Sequence, residues 1–161
     1  MSVLPLLERK QVLVVDLDVH QGNGTASIFK DEQQVFTFSM HGMNNYPMFK
    51  EQSDLDVPLV DGIDDKAYLR LLNDHLQDLL DRLEPGFIFF QSGVDILATD
   101  ALGKLGISRE GCKQRDQILF GLAHRHKIPI VASMGGGYSP KIADVIEAHA
   151  NTFRVAMDYF G

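Results

Sequence analysis

Residues 12–25 read "VLVVDLDVHQGNGT", an apolar run that passes straight into two aspartates and a histidine before it meets glycine. In an extended chain successive side chains point to opposite faces, so Asp16, Asp18 and His20 share one side. Two carboxylates that close repel each other, and a cation would compensate them. The stretch therefore predicts a buried strand that ends in a charged edge, either a set of cation ligands or a polar strand end with a solvated histidine.

Three more runs have the same character. "FIFFQSG" (87–93) and "IPIVASM" (128–134) are short, apolar and rich in β-branched or aromatic residues, and "VFTFSM" (35–40) alternates more. Continuous apolar runs suit parallel strands covered on both faces. Between them lie helical patterns. From Lys66 to Leu83, leucines at 69, 72, 76, 79, 80 and 83 form one stripe, which Glu84, Pro85 and Gly86 stop. Ser108 is placed to cap a helix to about His126, with Ile118, Leu119 and Leu122 facing inward. The basic residues of "HRHK" suit its C-terminal end. Ser139 and Pro140 signal the start of a last helix, to about Tyr159, and Thr25 lies near the start of a short one. Strands alternating with helices indicate an α/β domain with a mainly parallel sheet. Residues 41–56 read as one long connection, and no linker divides the 161 residues.

Composition narrows the function classes. The chain is 45% hydrophobic with a net charge of −7, and it has no basic-aromatic patch, which argues against nucleic-acid binding. No apolar run reaches membrane-spanning length, and "MSVLPLLERK" is too short for a signal peptide, so a cytoplasmic location is the default expectation. The single cysteine, Cys112, reads as a small buried hydrophobe.

In open parallel sheets, ligands gather at the carboxyl ends of the strands. That rule brings Asp16, Asp18 and His20 from the first strand together with Asp95, just after "QSG", and with "GGGY" (135–138). Two carboxylates and an imidazole suit zinc or a similar divalent ion, with a position left open for water or substrate. The glycines would let the backbone approach a ligand closely, and the Tyr138 hydroxyl is a donor for an oxyanion. Together these features point to metal-assisted hydrolysis of an amide or ester. The other histidines have simpler readings. His75 and His149 fall within helical patterns and His124 and His126 near a helix end, while His41 follows a strand end, where it either serves a loop or borders the site. The carboxylates of "DGIDD" (61–65) read as a turn and helix N-terminus.

"VLVVDLDVHQGNGT", "SGVDILATDALGKLGIS" and "MGGGY" resemble the zinc-dependent histone deacetylase family, with "DILATDALGKLGIS" followed by "KQRD" most similar to its class IV branch and its bacterial relatives. The resemblance implies a three-layer α/β/α sandwich of the arginase type. It implies zinc held by Asp18, His20 and Asp95, with Tyr138 stabilising the tetrahedral intermediate. It implies a potassium ion held by Asp16, backbone oxygens of Asp18 and His20, the Ser39 hydroxyl and the Met40 carbonyl. Leu102, Tyr46 and Pro47 within "NNYPM", and Gly136 and Gly137 would line a channel for an acyl-lysine peptide or a small acylated amine. A binuclear manganese hydrolase would need a D-x-D pair, but Ile96 and Leu97 follow Asp95.

Family members also carry an adjacent histidine pair upstream as general base and acid. This chain has six histidines, none adjacent to another, and 15 residues precede Asp16. The expectation is a single domain, 1–161, that is the C-terminal portion of a deacetylase catalytic domain, incomplete at its N-terminus. Losing a general acid–base group typically removes about two to four orders of magnitude in rate. The isolated chain is thus expected to bind zinc weakly and deacetylate poorly. Two origins stay open, a truncated or split gene product and a half that pairs with a complementary N-terminal half; the rival function is a non-catalytic half that binds a partner or an acyl ligand.

Overall fold

The computed structural model describes residues 11–161. Five strands form one parallel sheet: β1 (Val12–Asp16), β2 (Val35–Gly42), β3 (Leu55–Leu59), β4 (Phe87–Gly93) and β5 (Ile130–Gly135), in the order β3-β2-β1-β4-β5. Four helices connect or follow them: α1 (Asn23–Phe29), α2 (Asp65–Leu83), α3 (Arg109–His126) and α4 (Ile142–Phe160). The order places β1, the carrier of the aspartates, at the centre of the sheet.

Right-handed crossovers put α1 on one face and α2 and α3 on the other, because β1 to β2 runs one way along the sheet and β3 to β4 to β5 the other. The leucine stripe of α2 then meets the inward residues of the strands. Leu72, Leu76, Leu79 and Leu80 are buried with Leu13, Val15, Phe38, Met40, Ile88 and Phe90. Leu119 and Leu122 of α3 join them, with Ile118 half-buried at the margin. Opposite them α1 is only seven residues long, and Phe89 and Val131 remain exposed.

Side-chain caps form at the N-termini of α2 and α3, where the sequence signals place them. Asp64 accepts a bond from the Ala67 amide, and Ser108 accepts one from Gly111 at 2.9 Å. Asp65 also accepts from the amide and hydroxyl of Ser108, which ties the starts of α2 and α3 together. Replacing Ser108 with alanine is expected to cost ~1 kcal/mol, read as a lower denaturant midpoint at unchanged slope.

Three expectations need correction. Helix α4 starts at Ile142 with no side-chain cap, two residues later than Ser139–Pro140 suggests. Ser139 instead hydrogen-bonds Thr99 across the loops at 3.0 Å. The 41–56 connection begins inside β2 and ends inside β3, an edge strand whose Pro58 and half-exposed residues hid it. His41 consequently lies in β2, buried, with Nδ1 3.0 Å from the Ser39 hydroxyl.

Candidate metal centre

β1 ends at Asp16, yet the alternation continues beyond it. Leu17 and Val19 are buried in the core while Asp16, Asp18 and His20 turn to the other side. Asp95 arrives two residues after β4 and is 0% exposed. Ligand atoms of Asp18, His20 and Asp95 all lie within 4.8 Å of one another. The His20 Nδ1 stands 2.9 Å from an Asp18 oxygen and 3.1 Å from Asp95 Oδ2. Backbone amides hold the carboxylates: His20 N–H donates to Asp18 Oδ1, and Val19 N–H donates to Asp95 Oδ1, both at 2.9 Å.

Electrostatics make this a place that favours a cation. Burial, followed by the charge of Asp18, pushes the Asp95 carboxyl well above its ordinary range. Asp16 is pushed up to about 7, chiefly by burial and then by the charges of Asp18 and Asp95, against the Asp18 amide that bonds it. Three carboxylates crowded around one imidazole are compensated by a divalent ion far better than by a single proton. The donor set, two carboxylate oxygens and an imidazole nitrogen, fits zinc with one position left open.

Glycine is required where the backbone passes over these groups. Gly136 adopts φ 58°, and a Cβ there would overlap the Asp95 carboxylate. A Cβ on Gly93 would lie 2.5 Å from the Asp18 backbone. These residues thus let the end of β4 pass against the Asp18 segment and the chain after β5 close over Asp95. Tyr138 follows them, half exposed, with its ring edge-on to His20 at 6.3 Å between centroids.

Asp16 and Ser39 are register partners on β1 and β2, with Met40 next along, buried. Leu102 and Tyr46 are exposed on two loops that Asn45 links, its side-chain amide donating to the Leu102 carbonyl at 2.9 Å. A groove of about 390 Å³ adjoins Asp18 and His20, but Val14, Thr25, Phe89, Gln91, Val131 and Ser133 line it, not Leu102, Tyr46 or Pro47. It runs over the open sheet face beside α1. Gly137, at φ 104°, packs against Val94 and Val145.

Sequence reasoning left two residues without roles. Asp100 accepts from the amides of Leu102 and Gly103 through one oxygen and of Tyr138 through the other, so it joins the two loops beside the site. Arg115 is buried directly beneath the strand ends. His149, read as a plain helix residue, is half-buried with Nε2 3.4 Å from the Gly136 carbonyl. His124 and His126 are exposed at the end of α3. Ile96 and Leu97 are buried in the core, so no second carboxylate follows Asp95.

Cys112 is buried, and burial pushes its thiol up to about 11. It is expected to resist a disulfide reagent at pH 8 in the native chain and to react fully in denaturant, since the thiolate is the nucleophile. Among the described residues no helix is long and apolar enough to cross a membrane.

A family model described as the histone deacetylase domain matches residues 3–153. The chain is 42% identical over 151 residues to an uncharacterized protein of Picosynechococcus, covering 94% of this chain and 50% of that one. It is 34% identical over 143 residues to histone deacetylase 2 of Arabidopsis thaliana, covering 87% of this chain and 37% of that one. A crystal structure of an HDAC homolog complexed with SAHA matches in fold, with a TM-score of 0.75 at 24% identity, covering 93% of this chain and 42% of that one. The chain spans about half, or less, of the length of the curated relatives it matches.

Proposed function

The chain belongs to the histone deacetylase family, and on that premise we propose that it carries the metal centre of a zinc-dependent deacylase. The substrate class is an acyl-lysine peptide or a small acylated amine. The observation that carries the reading is the meeting of Asp18, His20 and Asp95 from two strand ends, with Tyr138 brought beside them from a third. Asp18, His20 and Asp95 would hold the zinc, which when bound polarises an amide carbonyl and makes a water acidic enough to attack it. The Tyr138 hydroxyl donates to the carbonyl oxygen as negative charge grows there, and Asp100 fixes the Tyr138 backbone for that role. Asp16, Ser39 and Met40 would hold a potassium ion, whose charge lets Asp16 and Asp18 both stay ionised. Leu102, Tyr46, Pro47, Gly136 and Gly137 would border the entering acyl chain.

Proton transfer needs another group. Among the described residues, His20 is the only histidine that lines the groove beside Asp18. We assign the general acid and base to a histidine pair in a complementary portion of the fold, with this chain as one part of a single catalytic domain. The open side supports that assignment. Among the described residues β5 has a neighbour on one edge only; Phe89 and Val131 are exposed on the α1 face, Met134 on the other, and α4 presents Ile142, Ile146, Phe153 and Met157 along one outer stripe. Relatives twice as long have the chain length to cover such a surface.

The test combines this chain with the portion of the Picosynechococcus relative that it does not match, and follows zinc content and release of acetate from an acetyl-lysine peptide. The chain alone is expected to turn over about two to four orders of magnitude more slowly than the mixture. Full-rate turnover by the chain alone would overturn the assignment of the acid and base. Stable association with zinc uptake but no turnover would favour a second reading, a non-catalytic half that binds a partner or an acyl ligand. The open side is the observation behind that reading.

A further inference from the structure

The pairing of β1 with β4 ends at Asp16 and Gln91, just before the ligand-bearing segments begin. Beyond that point the two chain segments need another device to fix their separation. A side chain from α3 occupies this place. Arg115 is 0% exposed, and its Nη1 donates to the Gly93 carbonyl at 2.5 Å and to the Leu17 carbonyl at 3.4 Å. Leu17 immediately precedes Asp18, and Gly93 is two residues before Asp95. One guanidinium nitrogen thus spans both ligand-bearing segments from below.

The rest of the guanidinium pairs with Asp116, although Nη2 makes no hydrogen bond there. Nε donates to Asp116 Oδ1 at 2.9 Å, and Nη2 is 2.8 Å from the same oxygen. The other Asp116 oxygen accepts the Thr152 hydroxyl of α4 at 2.7 Å. The Phe90 ring packs 5.4 Å from the guanidinium carbon. The chain of contacts runs from α4 through α3 to β1 and β4. A buried ion pair is a weak device for stability, because desolvation offsets its attraction and apolar replacements are often neutral or better. Its geometric effect is the distinctive one, since the planar fork fixes direction as well as distance.

We propose that Arg115 is a positioning residue of the metal centre: by binding the carbonyls of Leu17 and Gly93 it sets the spacing of Asp18 and Asp95. The proposal rests on the reading of those aspartates as metal ligands, but its backbone part is testable without metal. The experiment compares the full chain with Arg115→Lys and with an apolar replacement of the pair, Arg115→Met with Asp116→Leu. Three quantities are read: the denaturant midpoint, amide exchange at Val19 and Val94, and the affinity and visible spectrum of bound cobalt(II). Val19 and Val94 are informative because their amides bond to Asp95 and to the Gly135 carbonyl.

In the double variant the midpoint is expected to stay near the wild type. Protection of the Val19 and Val94 amides is expected to be lost, cobalt affinity to fall ~10–100-fold, and the spectrum to change. Arg115→Lys, which keeps the charge but lacks the fork, should fall between, and it carries the test if the double variant does not fold. Unchanged exchange with unchanged cobalt binding in a folded variant would overturn the proposal. If the wild type takes up no cobalt, the metal reading fails, and the positioning role is decided by amide exchange alone.

Discussion

Replacing Asp95 with asparagine is expected to abolish saturable zinc binding while leaving the metal-free chain at least as stable as the wild type. The two halves of that expectation have one cause. Asp95 is wholly buried, with its carboxyl held above the ordinary range by burial and by the charge of Asp18. At neutral pH its ionisation therefore works against folding, because an acid with a raised native pKa destabilises the fold once the pH exceeds its unfolded value. An amide removes that charge, and its oxygen can still accept the Val19 N–H that Oδ1 accepts now. The metal loses a charged ligand, a change larger than the ~10–100-fold that follows loss of a group merely orienting a ligand. Equilibrium dialysis against zinc and thermal unfolding with and without metal read both effects. A metal-free chain strongly destabilised by the change would show that Asp95 is structural first.

The second large effect is at Gly136, where an alanine is expected to lower stability and remove the metal together. Its φ of 58° belongs to the left-handed region, and a Cβ would overlap the Asp95 carboxylate. Backbone strain and overpacking together should cost about 2–4 kcal/mol. For a chain of this size that is roughly 5–15 °C in unfolding temperature. Alanine at Gly24, where a Cβ meets nothing, is the control. Equal losses at both positions in unfolding temperature and zinc content would contradict the assignment of Gly136 as a close-approach residue.

The ligand-bearing edge was legible because its pattern is local. The alternation of Asp16, Asp18 and His20 with Leu17 and Val19 predicts which side each faces, and the parallel-sheet rule brings in Asp95 and Tyr138. The cap at Ser108 and the leucine stripe of α2 were legible for the same reason. β3 was not, since an edge strand needs little apolar sequence, and Pro58 signals against a strand. His41 was misplaced with it, because β2 runs two residues beyond its apolar stretch. Ser139 was misread because its partner, Thr99, is forty positions away. Arg115 and Asp116 look like a solvated pair on a helix surface, and only the packing of α3 under β1 and β4 buries them. Asp100 was invisible for a related reason, as its three amide donors come from two different loops.

The most direct test of the metal centre is a zinc titration of the full chain followed by the side-chain nitrogen resonances of its six histidines. His20 alone faces two carboxylates across 2.9 and 3.1 Å, so its ring nitrogens should shift strongly and saturably while the other five stay in place. Zinc that moves no histidine, or that moves His124 and His126 at the exposed end of α3 instead of His20, would contradict the account.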